Sequence, residues 1–429
     1  MKRILLLGFI LTISSCGDFK QDQLTTGLNA NTDVVIDNLE SINTGTFSID
    51  KVLLNFGLNV MTPSVFEFNK NIVELNSHLE LYCDAIENYP VDHYKEETFQ
   101  AQKRKLQDQW KKTMSTYHRL EAFKFGAISS NAEELGLSFY AWPLQNSCRI
   151  DLEIAKNTGK NENEMGAKSF NLMGLGALET ILFTKPGSHN CPTSPAFLTK
   201  WINEAPKTRH IDQCSYMKNV TKTLMSSAKV LSNKWDPKVE NFSLTLVKGK
   251  SRAQKLSSLN EFSNSLFYVE KIVKDLKIGA PSGILNCKLT SCPESSEHIL
   301  SKLSIEAVIS NLKGFHYAFN GIDPETGVNG MGMDDYLVSQ NHWQTAKAMN
   351  SAVTHAIERF SLHVGKKSLY ELSLEVSKNL CDDSTSENRT VEICALYQDL
   401  RGVTNILKND YILALRDIEA PAQSQGDMD

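Results

Sequence analysis

The chain has 429 residues, 41% hydrophobic and 22% charged, with 45 basic against 50 acidic side chains and a net charge of −5. That composition is globular and the length allows two or three domains. No basic excess or aromatic-basic stripe marks a nucleic-acid surface, so no nucleic-acid partner is expected.

Lys2 and Arg3 precede an apolar run at 4–13, ILLLGFILTI, too short for a permanent membrane span and suited to a signal peptide. Ile13-Ser14-Ser15-Cys16 looks like a lipobox, which places the signal peptide at 1–15 and lipid on Cys16. The membrane is then a partner reached through acyl chains, without a spanning helix. Gly17 follows the cysteine and Asp18 comes one place later. By resemblance to the bacterial sorting rule, this favours the outer membrane, facing the periplasm or the cell surface. Residues 16–35 read as a polar tether.

Helical periodicity dominates from there on. It covers 50–88, broken near Pro63, and 96–125, ending at Gly126 as a C-cap. Shorter pieces follow over 131–157 around Trp142-Pro143, then a strongly apolar helix over 166–184 stopped by Lys185-Pro186-Gly187. Further helices are expected at 209–235, 252–277, 302–319, 343–361, 366–380 and 390–416. Turn clusters at 279–283 and 323–327 separate helices, and strand-like alternation is scarce. The fold class is all-α, with two helical-bundle domains over 36–245 and 246–419 and a flexible tail at 420–429. An internal duplication is a further option.

Nine cysteines occur. With Cys16 lipidated, the other eight suggest disulfides in an oxidising envelope compartment. Closeness in sequence pairs Cys287 with Cys292, Cys381 with Cys394 and Cys191 with Cys214, leaving Cys83 for Cys148. No CxxC or CxxH pair supports a zinc site. HExxH, GxSxG and Walker motifs do not occur either.

Four segments carry a family resemblance when taken in order. They are WKKTMSTYHRLEAFKFG from Trp110 to Gly126, Trp142-Pro143 followed by Ile150-Asp151, NLMGLGALETILF from Asn171 to Phe183, and GMGMDDYL from Gly330 to Leu337. Together they resemble the imelysin-like family. That family is named for an insulin-cleaving membrane protease, has been filed with metallopeptidases, and holds envelope proteins often linked to iron uptake. The resemblance implies an all-helical, two-domain fold with a cleft near the helix that carries a GxHxxE motif. Here that motif reads Gly174-Leu175-Gly176-Ala177-Leu178-Glu179, and Gly176 stands where the family has His. The departure removes the helix's strongest metal ligand or base.

The residues can also be read without the family. Leu175, Gly176, Leu182 and Phe183 share the helix face of Glu179, so its carboxylate projects from apolar surroundings. It is either a cleft residue or a core glutamate bonded to a neighbouring helix, with the glycines permitting tight packing. His118 and Glu121 form an HxxE pair at the spacing that metal-binding bundles use. The same spacing recurs at His93–Glu96 and His355–Glu358, so a hydrogen-bonded or solvated pair is the alternative. His316 in Gly314-Phe315-His316 is either a mirror of the 174–179 helix or a core histidine. Asp334 and Asp335 read as helix caps. The candidate cleft is therefore Glu179, Gly174, Gly176, Glu121, His118, Trp142 and His316. The expected function is non-catalytic binding of a small ligand or metal, iron or another divalent ion, by an envelope lipoprotein. The alternatives are a metal-dependent peptidase and a scaffold subunit with an envelope protein partner.

Overall fold

The computed structural model describes residues 47–166, 168–285, 287–376, 381 and 391–415. The signal peptide, Cys16, the tether and the tail at 420–429 lie outside them. Helix α1 (Thr62–Glu87) starts with Pro63 in its first turn, where no backbone N–H is required. It buries Val65, Phe68, Ile72, Leu75, Leu79 and Ile86, an apolar stripe at helical spacing. The stripe packs on α2 (Gln100–Glu121). Helix α3 (Gly174–Phe183), buried over nearly all its length, packs on both α2 and α4 (Pro206–Trp235), and α4 closes on α1.

A second group follows. The π-helical segment Val269–Gly279, α5 (Ser304–Asn320), α6 (Met333–Ser339), α7 (Trp343–Ser361) and α8 (Glu392–Ile406) pack on one another. The seam between the groups is α2 against α5. Gly314 makes that approach possible: a Cβ there would lie 2.2 Å from the Arg119 carbonyl oxygen of α2. The described residues all fall in one compact unit. The all-α expectation holds: the described residues contain no strand, only an isolated bridge between Ile322 and Asn329.

Two helices are shorter than their periodicity suggests. Helix α2 stops at Glu121, so Gly126 does not cap it, although Gly126 does adopt φ +67°. Residues two apart on a continuing helix would point to different faces. The turn instead sends Phe123 and Phe125 into one cluster, with Phe56 at 5.8 and 5.7 Å from their rings. Helix α3 begins only at Gly174, whose φ of +73° ends the preceding loop.

Four disulfides close the fold. Cys287–Cys292 and Cys381–Cys394 are as expected. The other two pairings are corrected: Cys83 joins Cys214 and Cys148 joins Cys191. Cys83 and Cys214 lie on the facing helices α1 and α4, with Cα atoms 5.6 Å apart despite a sequence separation of 131. Closeness in sequence is a poor guide where helices far apart in the chain pack side by side.

The two glycines of α3 have different surroundings. At Gly174, a Cβ would lie 2.5 Å from the backbone oxygen of Phe139, in left-handed backbone. At Gly176 the three nearest atoms all belong to the side chain of Gln145. Gly174→Ala should therefore cost about 2 kcal/mol or more, from unfavourable φ and a backbone clash. Gly176→Ala should change stability by less than about 1 kcal/mol, because the gain in helix propensity offsets a displaced amide. Urea midpoints measure both, and equal losses would contradict the assignment.

Candidate functional site

Five elements converge on one buried polar cluster. Helix α2 supplies His118 and Glu121, three residues apart and therefore on one face. Helix α3 supplies Glu179, the π-helical segment Lys277, and α5 Asn311. The segment before α5 supplies Glu297, His298 and Ser301. His118, Lys277 and Asn311 are wholly buried, and Glu121, Glu179, Glu297 and His298 nearly so.

Each imidazole is oriented by its own carboxylate. His118 Nδ1 lies 2.5 Å from Glu121 Oε1, and His298 Nδ1 lies 2.8 Å from Glu179 Oε2. A carboxylate at Nδ1 fixes the proton there and directs Nε2 elsewhere. Both Nε2 atoms point at each other, 2.8 Å apart. Two bare lone pairs would repel at that distance, so a proton lies between them; a metal ion, at about 2.0–2.1 Å from each nitrogen, would sit beside the pair and not between its members. Burial and then Lys277 push the pKa of His118 down. Burial would also push His298 down, but Glu179 and Glu297 outweigh it and hold His298 up. These opposite shifts favour the shared proton on His298, which donates to His118.

The carboxylates are held in turn. Glu121 Oε1 also accepts from Lys277 Nζ at 2.7 Å and Asn311 Nδ2 at 3.0 Å. Glu179 Oε1 accepts from the Ser301 hydroxyl at 2.7 Å and its N–H at 3.1 Å. Burial alone would raise both glutamates. Lys277 and His118 keep Glu121 well below the usual range, and His298 and Ser301 lower Glu179. Lys277 Nζ reaches Glu297 Oε2 at 3.0 Å. Glu121 and Glu297 outweigh the burial of the lysine and keep it charged.

The donor types fit a metal ion. One nitrogen of His118, one of His298 and one oxygen of Glu297 lie within 4.8 Å of one another, the only such group among the described residues. Counted formally, three carboxylates against one ammonium leave two negative charges, which a dication bound to two neutral imidazoles would cancel. Tyr140 stacks on the His298 ring at 5.5 Å and Trp110 meets it edge-on at 5.6 Å. The His298 backbone adopts φ +56°, uncommon for a non-glycine residue. A hydrogen bond from Lys302 N–H to its carbonyl and the two from Ser301 to Glu179 hold it there.

A cavity of about 510 Å³ opens beside the cluster, lined in part by Tyr140, Trp142, Gln145, Gly176, Glu179 and His298. Of the residues singled out from sequence, His118, Glu121 and Glu179 meet in the cluster, and Gly176 and Trp142 line the cavity. Gly174 packs against backbone at the start of α3. His316 stands apart on α5, bonded to Asn320 at 3.0 Å. Asp335 caps α6 by accepting the Gly332 N–H at 2.9 Å. The imidazoles of the other two HxxE pairs, His93 and His355, are exposed. Sequence reading missed Glu297 and His298, an acidic-imidazole pair in a serine-rich loop stapled by Cys287–Cys292. It also missed Lys277, whose neighbours Lys271 and Lys274 make it look like one of a solvated row.

The family model described as Imelysin matches residues 68–407. The chain belongs to the imelysin family. Its fold is similar to that of an imelysin-like protein from Psychrobacter arcticum 273-4, at TM-score 0.63 and 16% identity over 88% of this chain and 98% of that one. It is also similar to a candidate iron-regulated protein A precursor from Parabacteroides distasonis ATCC 8503, at TM-score 0.55 and 15% identity over 85% and 97%. No curated protein matches the chain. Within the imelysin frame, the helix position occupied by Gly176 lacks an imidazole, and His298 brings one to Glu179 from a different segment.

His316 supplies a pH test independent of the cluster. Burial pushes its pKa down to about 4. The unfolded chain protonates it near 6.5, so the unfolded state binds more protons between those values. Stability should therefore fall as pH drops from 6.5 through about 4. His316→Gln cannot titrate and should flatten that slope in urea melts; an unchanged slope would contradict the assignment.

Proposed function

We propose that this imelysin-family chain is a lipid-anchored envelope protein that binds a divalent transition-metal ion, of the iron class, at His118, His298 and Glu297. The observation that carries the reading is the pair of facing Nε2 atoms, each imidazole backed by its own carboxylate. Those carboxylates raise the basicity of the rings and fix the tautomer needed for metal binding. Imidazole and carboxylate suit iron, manganese and zinc, and no thiolate biases the site toward softer ions. Iron is favoured because one structural neighbour is described as iron-regulated.

Binding is favoured over hydrolysis. A metallopeptidase needs a carboxylate free to take a proton from metal-bound water. Here Glu121 and Glu179 are both committed to hydrogen bonds within the cluster. When bound, the metal would supply a positive centre for the two imidazoles. Glu121, Glu179 and Asn311 would keep those rings aimed, and Lys277 would hold Glu297 in place. Anchoring through Cys16, with outer-membrane sorting, rests on the N-terminal sequence; no helix among the described residues is long and apolar enough to cross a membrane.

Chelator-treated protein should gain stability on adding ferrous or zinc ions, by about 2.7 kcal/mol at a hundredfold excess over Kd. His118→Ala and His298→Ala should each abolish that gain, read as melting temperature together with bound metal per chain. Equal metal binding by wild type and both variants would sink the reading, as would chelator-sensitive peptide hydrolysis by the wild type. Separately, Cys16→Ser should abolish lipid labelling and release the chain from membranes; full retention of the variant would reject the anchor.

A further inference from the structure

The cavity beside His298 carries an unpartnered polar group on Gln145. Its Nε2 donates to the Asn171 carbonyl at 3.0 Å, which fixes the amide orientation. Its Oε1 is buried and has no hydrogen-bond partner. That oxygen sits 2.5 Å from where a Cβ on Gly176 would be. A side chain at 176 and the Gln145 amide therefore compete for one place. The absence of a side chain at 176 and the presence of a fixed carbonyl on the cavity wall are one exchange.

Ser296 contributes a second such group, a hydroxyl in a residue 5% exposed, also without a partner. Glu294 and Glu179 add carboxylates to the lining. Among the described lining residues there is no lysine or arginine. Lys277 lies behind Trp142, with its ammonium 5.9 Å from the ring centre, and is not among them. The wall thus offers hydrogen-bond acceptors and the Glu294 carboxylate, with the Glu179 carboxylate already paired to His298.

We infer that this cavity admits the metal as a hydrated cation and rejects anionic metal chelates, with Gln145 Oε1, Ser296 Oγ and Glu294 accepting hydrogen bonds from metal-bound water. The inference rests on the metal-binding reading above and names the form in which that site takes its ion. Water on a cation presents only protons outward, which matches a wall of acceptors. A carboxylate-rich chelate presents oxygen lone pairs and negative charge, which the same wall repels.

The test uses the purified full mature chain, calorimetric titration with Zn²⁺, and a gel-filtration assay for retained radiolabelled citrate when the zinc is supplied as its citrate complex. Wild type should bind Zn²⁺ and retain no citrate. Gln145→Leu, which keeps the volume and loses the acceptor, should weaken Zn²⁺ about tenfold, the scale of one hydrogen bond. Gln145→Lys should weaken it further, with an unchanged circular dichroism spectrum showing that the fold is intact. His298→Ala is the control for the underlying reading. Retained citrate, or Gln145 variants that bind like wild type while His298→Ala does not bind, would overturn the hydrated-cation inference alone. Zinc binding that is absent in wild type, or unaffected by His298→Ala, would overturn both.

Discussion

Everything at the centre of this protein follows from the cost of burying charge. Taking an ion out of water costs several kcal/mol even after relaxation, and only close opposite charges and hydrogen bonds offset it. Three glutamates, a lysine and two histidines are buried together, so each must be another's compensation. Glu121 is held by His118, Lys277 and Asn311, and Glu179 by His298 and Ser301. Removing a charged partner such as Lys277 would leave an uncompensated charge, a loss of the order of 3–5 kcal/mol. Such a network is a costly way to fill a core, since apolar residues of the same volume do it at least as well. Its presence points to chemistry at the two facing nitrogens.

The helical frame serves that cluster. Helix α2 runs along the seam between the two helix groups, so its His118–Glu121 face looks across toward α5 and the π-helical segment. Trp110, two turns upstream, donates from Nε1 to the Leu175 carbonyl at 2.9 Å and ties α2 to α3. That contact holds Glu179 in register with Glu121. The π-helical stretch at Val269–Gly279 departs from α geometry where it delivers Lys277, in keeping with the frequent occurrence of π segments at functional sites.

Much of this was legible in the sequence. Apolar spacing revealed the helices, and ordered motifs pointed to the family. His118, Glu121 and Glu179 stood out because a polar residue on an apolar helix face needs a partner. The partners themselves were not legible. His298 lies 119 residues from Glu179 and 180 from His118, in a loop with no periodicity to give it a direction. Lys277 falls on a π-helical stretch, where faces predicted from a 3.6-residue period go astray. The mispaired cysteines have the same origin: Cys83 and Cys214 meet because α1 and α4 pack, which is a tertiary fact. Gly176 was legible as a departure from the family motif, whereas the Gln145 amide that fills its place was not.

The central question is whether two imidazoles from distant segments share one ion. X-ray absorption spectroscopy of the chain loaded with one equivalent of zinc reads this directly, because histidine ligands give a characteristic outer-shell scattering pattern. The expected result is a nitrogen- and oxygen-ligated ion with the scattering of two imidazoles, reduced to one in His298→Ala protein forced to bind at high zinc. An ion ligated by oxygen alone, or a two-imidazole signal that survives loss of His298, would contradict it.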